Sequence, residues 1–439
     1  MREYIKRFIG VYDIRSKNNV LVNRLWGVLG IDMLVKASGF LLIPFYLMLM
    51  TQGEFGLYNY IISIIQTFSL ILNLGLYISV TKYYHSHSSS TERGKFLFTI
   101  FITLSVFIVA VIVPLYLLGL DYRIIKFLFS TTFAYQDYRG LILLGLLVST
   151  MSFTLNSYLF TSEKIRQIKT YNICRILLIN ILSVIGLYLI DSDSVQIRLT
   201  FTYVGELLLL TFFGYFAMKE MVPEFKNKLM RSSLKMGIPV MLSSILGIVV
   251  NFGDKFFLEK YGTIEDLSNY YLAFSFASII PLIFASFQNV WLPIFMKEKD
   301  VQKNYEKTKR IISKLILLFM VLAVIIWIGF QALLWLHFIP IKYSQVTYIL
   351  PILLMTQIVA SIVPLFSNYF IYFEKTQIVT IAGIFVGICS LTLALFLIPV
   401  LNVYGAALTA LISNMLYLFV YYYMVVSIKR KHLASATTL

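Results

Sequence analysis

The sequence predicts an all-α polytopic membrane protein with twelve transmembrane helices. Of its 439 residues, 59% are hydrophobic and 13% are charged, whereas soluble domains carry roughly 25% charged residues. The apolar residues form runs of about 20 residues or more, the length that crosses a hydrocarbon layer roughly 30 Å thick. Lysine and arginine are concentrated in every second connector between these runs. Together these observations exclude a soluble globular fold.

Each apolar run is predicted to be a helix, because lipid cannot satisfy open backbone groups and the ten-residue alternation of barrel strands does not occur. The first run follows a polar segment of about 24 residues and is too long for a signal-peptide core, so we expect a retained helix. The predicted spans 1 to 12 are Leu25–Met50, Gly56–Val80, Phe96–Leu118, Gly140–Thr161, Tyr171–Ile190, Leu199–Ala217, Leu234–Leu258, Leu267–Met296, Ile311–Leu336, Thr347–Phe373, Thr376–Pro399 and Val403–Ser427.

The connectors differ in charge between the two sides of the membrane. The side that holds residues 1–24 and the connectors after even-numbered spans carries 28 Lys and Arg residues, and the opposite side carries six. The positive-inside rule therefore predicts that both termini are cytoplasmic. The net charge of +16 then indicates topology and contact with anionic membrane lipids, and we expect no nucleic-acid partner.

Sequence similarity between the two halves of the chain predicts a duplication. Segments around spans 1–2 and 4 recur around spans 7–8 and 10 at a spacing of 211 or 212 residues. This pattern predicts two six-helix lobes, residues 1–218 and 219–439, related by an axis along the membrane normal and enclosing a central cavity. Alternatively, the repetition reflects only common ancestry and helix packing and indicates no cavity for a transported molecule. The matched residues at a spacing of 212 are Thr51, Tyr58, Ser149 and Asn156 with Thr263, Tyr270, Ser361 and Asn368.

Two charged residues, Asp32 and Lys36, lie near the middle of span 1. A midplane charge costs about 2.5–3.5 kcal/mol even on the translocon scale, so a partner has to offset it. Asp32 lies on the same helix face as Lys36 and can form an ion pair with it. This pair either faces a neighbouring helix or lines a wet cavity, where Lys36 would bind substrate and Asp32 would couple an ion. Gly30 and Gly39 favour the cavity because they leave room.

Glu206 lies midway along span 6 with no cation in its own span nearby. A buried carboxylate without a cation can take up a proton, so Glu206 is a candidate ion-coupling residue. Alternatively it hydrogen-bonds to a neighbouring helix or pairs with Lys36 or Arg175. Arg175 itself, one turn from the cytoplasmic end of span 5, is either an anchor to the inner leaflet or a substrate-binding residue.

Asp254 and Lys255 lie near the outer end of span 7. From there Lys255 can reach water, so the two residues can simply form a solvated helix end. An equally good explanation is a cavity in which Lys255 binds substrate and Asp254 couples an ion. In span 10, Gln357 and Asn368 belong to a one-sided polar seam. Hydrogen bonds between helices explain such a seam, and lining of a substrate path is the alternative in which Gln357, Asn368 and its counterpart Asn156 bind substrate.

Several chemistries are missing from the sequence. It contains no GxxxxGK[ST] phosphate loop and no HExxH or GxSxG motif, so we expect no ATP motor, no catalytic residues and no cofactor. Cys174 and Cys389 lie inside spans and are predicted to be packing residues, with no disulfide and no metal site.

Three stretches of the sequence resemble the polysaccharide flippases of the Wzx type, which move O-antigen and capsular repeat units. The resemblance covers nearly the whole chain in length, topology and duplication. The stretches are the start of the chain with Lys36, Ile43-Pro44-Phe45, Gly53-Glu54-Phe55-Gly56-Leu57-Tyr58 and Leu74-Gly75-Leu76, then Asn251-Phe252-Gly253-Asp254-Lys255, and Val403-Tyr404-Gly405-Ala406-Ala407.

The resemblance implies a fold like that of the multidrug and toxin extrusion (MATE) transporters. It implies an undecaprenyl-pyrophosphate-linked oligosaccharide as substrate, moved across a bacterial inner membrane, and a polysaccharide polymerase and a chain-length regulator as partners. Directionality without ATP then needs either an ion gradient, with H⁺ or Na⁺ as coupling ion, or removal of the product. It also implies a cationic cavity, for which Lys36, Arg175 and Lys255 are the matching residues. An antiporter of organic cations on the same fold is the alternative, against which Lys36 and Arg175 argue. A multispan transferase ranks third, because it would need a clustered catalytic constellation at one surface.

Overall fold

The computed structural model of the protein describes residues 39–437, apart from 88, 131–133, 299, 374 and 376. Every regular element in this part of the chain is helical, as the sequence predicts. Asp32 and Lys36 lie outside the described residues. The helices are α1 Gly39–Leu49, α2 Gln52–Leu72, α3 Leu76–Tyr83, α4 Ser90–Leu117, α5 Leu120–Leu128, α6 Tyr135–Thr161, α7 Ile165–Leu189, α8 Ser194–Met218, α9 Asn227–Tyr261, α10 Ile264–Ala277, α11 Ile279–Lys297, α12 Val301–Trp335, α13 Val346–Tyr372 and α14 Gln377–Thr437, with 3₁₀ turns at Tyr84–Ser86 and Ile341–Tyr343.

The described residues contain nine helices that are long and apolar enough to cross a membrane, or ten when the bent α9 is included. The last of them, α14, has 61 residues, which at about 1.5 Å per residue would extend far beyond one bilayer. It is broken at Asn402, where φ is 48°. A Cβ placed on Gly405 would lie 2.3 Å from the carbonyl oxygen of Leu397, so the chain doubles back there. This break falls between predicted spans 11 and 12.

Three predicted spans are not continuous α-helices. Span 2 is divided into α2 and α3 at Leu74 and Gly75, both of which have positive φ angles of 54° and 67°. Span 8 is divided at Ser278 between α10 and α11. Span 5 corresponds to α7, which contains a π-helical stretch over Ile176–Ile181. The sequence predicts unbroken helices at these places, so the three interruptions correct the predicted spans.

The connector between predicted spans 3 and 4 contains a helix that the sequence analysis did not predict, α5. Gly119 at φ 63° turns the chain into it. Its start is held by Asp121, whose carboxylate is 2.6 Å from the Nε of Arg139 in α6. We call residues 120–130 the strap.

The capping structure of the helices repeats along the chain. Thr51 and Glu54 form a capping box at the start of α2, and Thr263 and Asp266 form the same box at the start of α10, 212 residues later. In each box the threonine hydroxyl accepts a hydrogen bond from the third helical N–H, and the acidic side chain accepts one from the threonine N–H. The recurring sequence segments therefore adopt the same local structure.

Candidate functional site

A pair of opposite charges lies within the membrane-spanning part of the N-terminal half. The Nε of Arg175 in α7 is 3.1 Å from Oε2 of Glu206 in α8. The hydroxyl of Tyr171, one turn before Arg175, donates a hydrogen bond to Oε1 of the same carboxylate. The Glu206 side chain is 7% exposed, whereas the Arg175 side chain is 46% exposed. Among the partners that the sequence analysis left open for Glu206, the described residues show an ion pair with Arg175 and a hydrogen bond from Tyr171 on the neighbouring helix. Much of the Arg175 guanidinium stays accessible.

The π-helical stretch of α7 follows directly after Arg175. Such stretches widen the helix by one residue per turn and are frequent at functional sites. Within it, the carbonyl oxygen of Asn180 accepts a hydrogen bond of 2.9 Å from the hydroxyl of Tyr46 in α1. The irregular backbone thus attaches α1 to α7 beside the charge pair.

A second charge pair lies in the C-terminal half. The Nζ of Lys255 is 3.2 Å from Oδ1 of Asp254 and donates a hydrogen bond of 2.7 Å to the carbonyl oxygen of Asn251. The hydroxyl of Tyr270 in α10 donates to the other oxygen of Asp254. Both charged residues are at most 5% exposed. The expectation of a solvated helix end for Asp254 and Lys255 is therefore wrong, because α10 covers them.

The polar seam of predicted span 10 faces the interior of the helix bundle. Gln357 and Asn368 in α13 are both buried, and the side chain of Gln288 in α11 donates a hydrogen bond of 3.0 Å to Oδ1 of Asn368. Asn156, the counterpart of Asn368 in α6, is partly buried. The candidate site residues thus form separate groups: Arg175 with Glu206, Asp254 with Lys255, and the seam.

The two halves of the chain meet along α2 and α10. The side chain of Gln52 donates to that of Asn269 at 2.9 Å, and the hydroxyl of Tyr271 donates to Ser63 at 2.8 Å. A Cβ placed on Gly56 would lie 3.2 Å from the Cβ of Ser268, the residue 212 positions further on. Two residues related by a twofold axis touch each other only next to that axis. If the halves are related by a twofold axis, as the sequence analysis predicts, the contact of Gly56 with Ser268 places that axis beside these two residues.

The strap makes a second contact between the halves, at the end of the bundle where α2 begins. The N–H of Ser130 donates to both carboxylate oxygens of Glu259 in α9, at 2.8 and 2.9 Å, and its hydroxyl donates to the carbonyl oxygen of Glu259 at 2.7 Å. The rings of Phe127 and Phe256 are 5.4 Å apart. Glu259 is only 3% exposed. The sequence analysis missed this residue, because a carboxylate near a helix end carries no signal of a partner 129 residues away.

Within the described part of the chain, no group of three His, Cys, Asp or Glu side chains is placed to hold a metal ion. Cys174 and Cys389 are free thiols and partly buried. The chemistry that this arrangement supports is electrostatic: one charge pair in the membrane has an accessible guanidinium, and the other is covered on both sides of the pair.

Comparison with known proteins agrees with this architecture. The family model "polysaccharide biosynthesis protein" matches residues 23–299, whereas no curated protein matches the sequence. The fold is similar to that of the lipid II flippase MurJ in an inward closed conformation, with 18% identity, a TM-score of 0.71 and coverage of 90% of this chain and 86% of that chain. It is also similar to an outward-facing multidrug resistance MATE family transporter of the MOP superfamily, with 14% identity, a TM-score of 0.64 and coverage of 99% and 98%.

A mutant of the Vibrio cholerae MATE transporter VcmN shares the fold as well, with 12% identity, a TM-score of 0.61 and coverage of 94% and 96%. The expected MATE-like fold is thereby confirmed, and the chain is a multi-pass membrane protein. Because the family model matches well over half of the chain, this protein belongs to the polysaccharide biosynthesis protein family.

Proposed function

We propose that the protein is a flippase for undecaprenyl-pyrophosphate-linked oligosaccharide repeat units, which it moves from the cytoplasmic to the periplasmic leaflet of a bacterial inner membrane. The units would serve the assembly of O-antigen or capsular polysaccharide, with a polymerase and a chain-length regulator acting on the delivered product. The family match and the likeness to a lipid II flippase support this proposal. One side of the membrane carries 28 Lys and Arg residues and the other carries six, which supports cytoplasmic termini and a position of the strap on the periplasmic side.

The observation that carries the proposal is the accessible guanidinium of Arg175, anchored on the buried carboxylate of Glu206. Guanidinium groups bind phosphate oxygens through two parallel N–H bonds, and this interaction is strong away from bulk water. A pyrophosphate cannot cross hydrocarbon bare. In our proposal Arg175 replaces the hydration of the pyrophosphate group while the prenyl tail stays in lipid. Lys36 and Lys255 are further proposed substrate-binding residues. Asn156, Gln357 and Asn368 are proposed contacts of the sugars.

The charge pairs also bear on the alternative of an organic-cation antiporter. A site for a cation needs an accessible carboxylate deep in the membrane. In the described spans, Glu206 and Asp254 each have a cation within 3.2 Å, and their side chains are at most 7% exposed. The accessible charge of these pairs is positive, which favours an anionic substrate.

We propose that transport proceeds by rocking of the lobes 1–218 and 219–439 about the axis at Gly56 and Ser268. Glu206, Asp254 and Asp32 are the proposed ion-coupling residues. A coupling ion that bound at Glu206 would weaken the attraction of this carboxylate for Arg175 and favour contact of the guanidinium with substrate, which links ion binding to substrate binding through a contact seen in the structure.

Arg175→Gln is the variant that tests this function. We expect surface glycan display to fall at least about tenfold, since the loss of one charged hydrogen-bonding partner exceeds about 1.4 kcal/mol. Arg175→Lys should retain part of the activity, because it keeps the charge and loses the planar fork. Glycan display is measured by surface labelling at matched protein levels, with Arg231→Gln, an exposed cation outside the apolar spans, as control. Unchanged display in Arg175→Gln would overturn the proposed role of this site.

A disulfide across the strap tests the rocking motion. We expect Ser130→Cys with Glu259→Cys, in a background without Cys174 and Cys389, to form a disulfide on oxidation, because the Ser130 hydroxyl lies 2.7 Å from the Glu259 carbonyl oxygen. The crosslink should block glycan display, and a reductant should restore it. Each single cysteine variant serves as control. Full activity of the crosslinked protein would show that this contact stays closed throughout transport.

A further inference from the structure

Arg198 in α8 lies in an aromatic cage near the end of the bundle that carries the strap. Its guanidinium carbon is 3.7 Å from the ring centre of Tyr46 in α1 and 3.8 Å from that of Tyr58 in α2. The hydroxyl of Tyr58 is fixed by a hydrogen bond of 3.0 Å with Thr202, one turn after Arg198. Contacts this short with two ring faces hold the guanidinium through cation–π attraction.

Two close ring faces occupy the space around a guanidinium without using its N–H groups. A guanidinium has five N–H donors. The described hydrogen bonds of Arg198 go from Nη1 to the sulfur of Met50 at 3.6 Å and to the side chain of Tyr46, and sulfur is a weak acceptor. Within the described residues, no carboxylate lies within 4.0 Å of it. Arg198 thus keeps its charge and most of its hydrogen-bonding capacity for an oxyanion.

A second cation, Lys342, approaches the same methionine from the C-terminal half. Its Nζ donates a hydrogen bond of 2.9 Å to the carbonyl oxygen of Met50. The ring of Phe55 lies 5.6 Å from the Arg198 guanidinium and 6.2 Å from the ring of Tyr343, so it stands between the two cations' segments. Burial lowers the pKa of Lys342, although Glu54 opposes this shift. An anion that bound here would offset that loss of solvation.

The acidic residue nearest to hand does not neutralise this pair. Glu54 acts on Lys342 only through its charge, and its carboxylate accepts a hydrogen bond of 2.7 Å from the N–H of Thr51. The position also differs from that of the Arg175 group. Arg198 lies in the second turn of α8, eight residues before Glu206, which is about 12 Å along the helix.

We propose that Arg198 and Lys342 form an oxyanion site at the outer end of the lobe junction, which binds a phosphate group presented from the outer leaflet. The assignment of this end to the outside rests on the proposed function. Because one cation belongs to each half, a bound phosphate bridges the halves and favours their closed arrangement at this end. Phosphate on a lipid-linked pyrophosphate and phosphate on a phospholipid head group share the chemistry that the site recognises.

Binding to the purified full-length protein tests this site separately from the Arg175 group. All variants are made in an Arg175→Gln background, so that pyrophosphate bound at that position does not contribute. We expect inorganic pyrophosphate to bind with a measurable dissociation constant by calorimetry, and Arg198→Gln and Lys342→Gln each to weaken it at least about tenfold. Arg198→Lys should be intermediate, because it keeps the charge without the fork. Lys260→Gln removes another cation on the same side of the membrane. It should bind pyrophosphate as tightly as the parent, the protein that carries Arg175→Gln alone.

Nanodiscs then distinguish the two sources of phosphate. Pyrophosphate binding is measured in neutral-lipid discs with undecaprenyl pyrophosphate and in discs that contain phosphatidylglycerol. The lipid that competes with the Arg198-dependent part of this binding is the source of the phosphate. If Arg198→Gln is poorly folded, Arg198→Lys and Lys342→Gln carry the test. Pyrophosphate binding that is equal in the parent and in Arg198→Lys and Lys342→Gln, or absent in the parent, would overturn the site. Glycan display that still depends on Arg175 would then leave the proposed function intact.

Discussion

Replacing Glu206 by alanine is expected to reduce glycan display at least about tenfold and to lower the amount of folded protein. The substitution leaves Arg175 without its carboxylate and removes the acceptor of the Tyr171 hydroxyl. Breaking a fully buried ion pair costs about 3–5 kcal/mol. Because Arg175 is 46% exposed and can turn towards water, we expect a smaller loss of about 1–2 kcal/mol. A thermal unfolding assay of the purified protein measures this loss.

Two further variants separate the roles of Glu206. Glu206→Gln keeps an acceptor for the Tyr171 hydroxyl but loses the charge, so we expect near-normal protein levels with display as low as in the alanine variant. It should also abolish the response of reconstituted transport to an imposed pH gradient. Tyr171→Phe removes the hydrogen bond and keeps the ion pair, so display should stay near that of the wild type. Wild-type display in Glu206→Gln would contradict both the anchoring and the coupling hypotheses.

The spans were predictable from sequence because each needs only composition and length. Lipid demands about 20 apolar residues, and this demand does not depend on where the neighbouring helices lie. The repeat of Thr51 at Thr263 was readable for a similar reason, since the capping box that each threonine forms is closed within four residues, although the sequence analysis did not identify the boxes themselves. Such local and compositional features recur in the structure close to their predicted positions.

The breaks and the charge partners were not predictable, because they depend on rotation and approach of distant helices. Sequence alone could not choose among the partners of Glu206, and it gave Lys255 an open path to water that α10 in fact closes. The cage around Arg198 combines α1, α2 and α8. In the sequence, its tyrosines look like ordinary membrane-interface residues, and Arg198 is one of the six cations predicted outside the cytoplasm. No pattern along the chain therefore marks the site.

The contact between α3 and α9 gives the second large expected effect, in the variant Gly237→Val. The turn that leads into α3 touches α9 through the backbone: a Cβ on Gly237 would lie 2.3 Å from the carbonyl oxygen of Leu74, and a Cβ on Gly75 would lie 2.3 Å from that of Gly237. Since backbone atoms cannot turn aside as a side chain can, the helices must separate. Overpacking of this kind costs about 1–3 kcal/mol, and we expect it to abolish glycan display by preventing the halves from closing here.

A crosslink next to this contact distinguishes loss of closure from general misfolding. The hydroxyl of Ser79 donates a hydrogen bond of 3.0 Å to the carbonyl oxygen of Ser233, so Ser79→Cys with Ser233→Cys should form a disulfide in the parent and much less in Gly237→Val. Gly214→Val is the matched control, because a Cβ there meets no atom within 4 Å. Its crosslinking and display should equal those of the parent. If Gly237→Val crosslinks normally, the backbones need not touch at this point, and the halves can close without a glycine there.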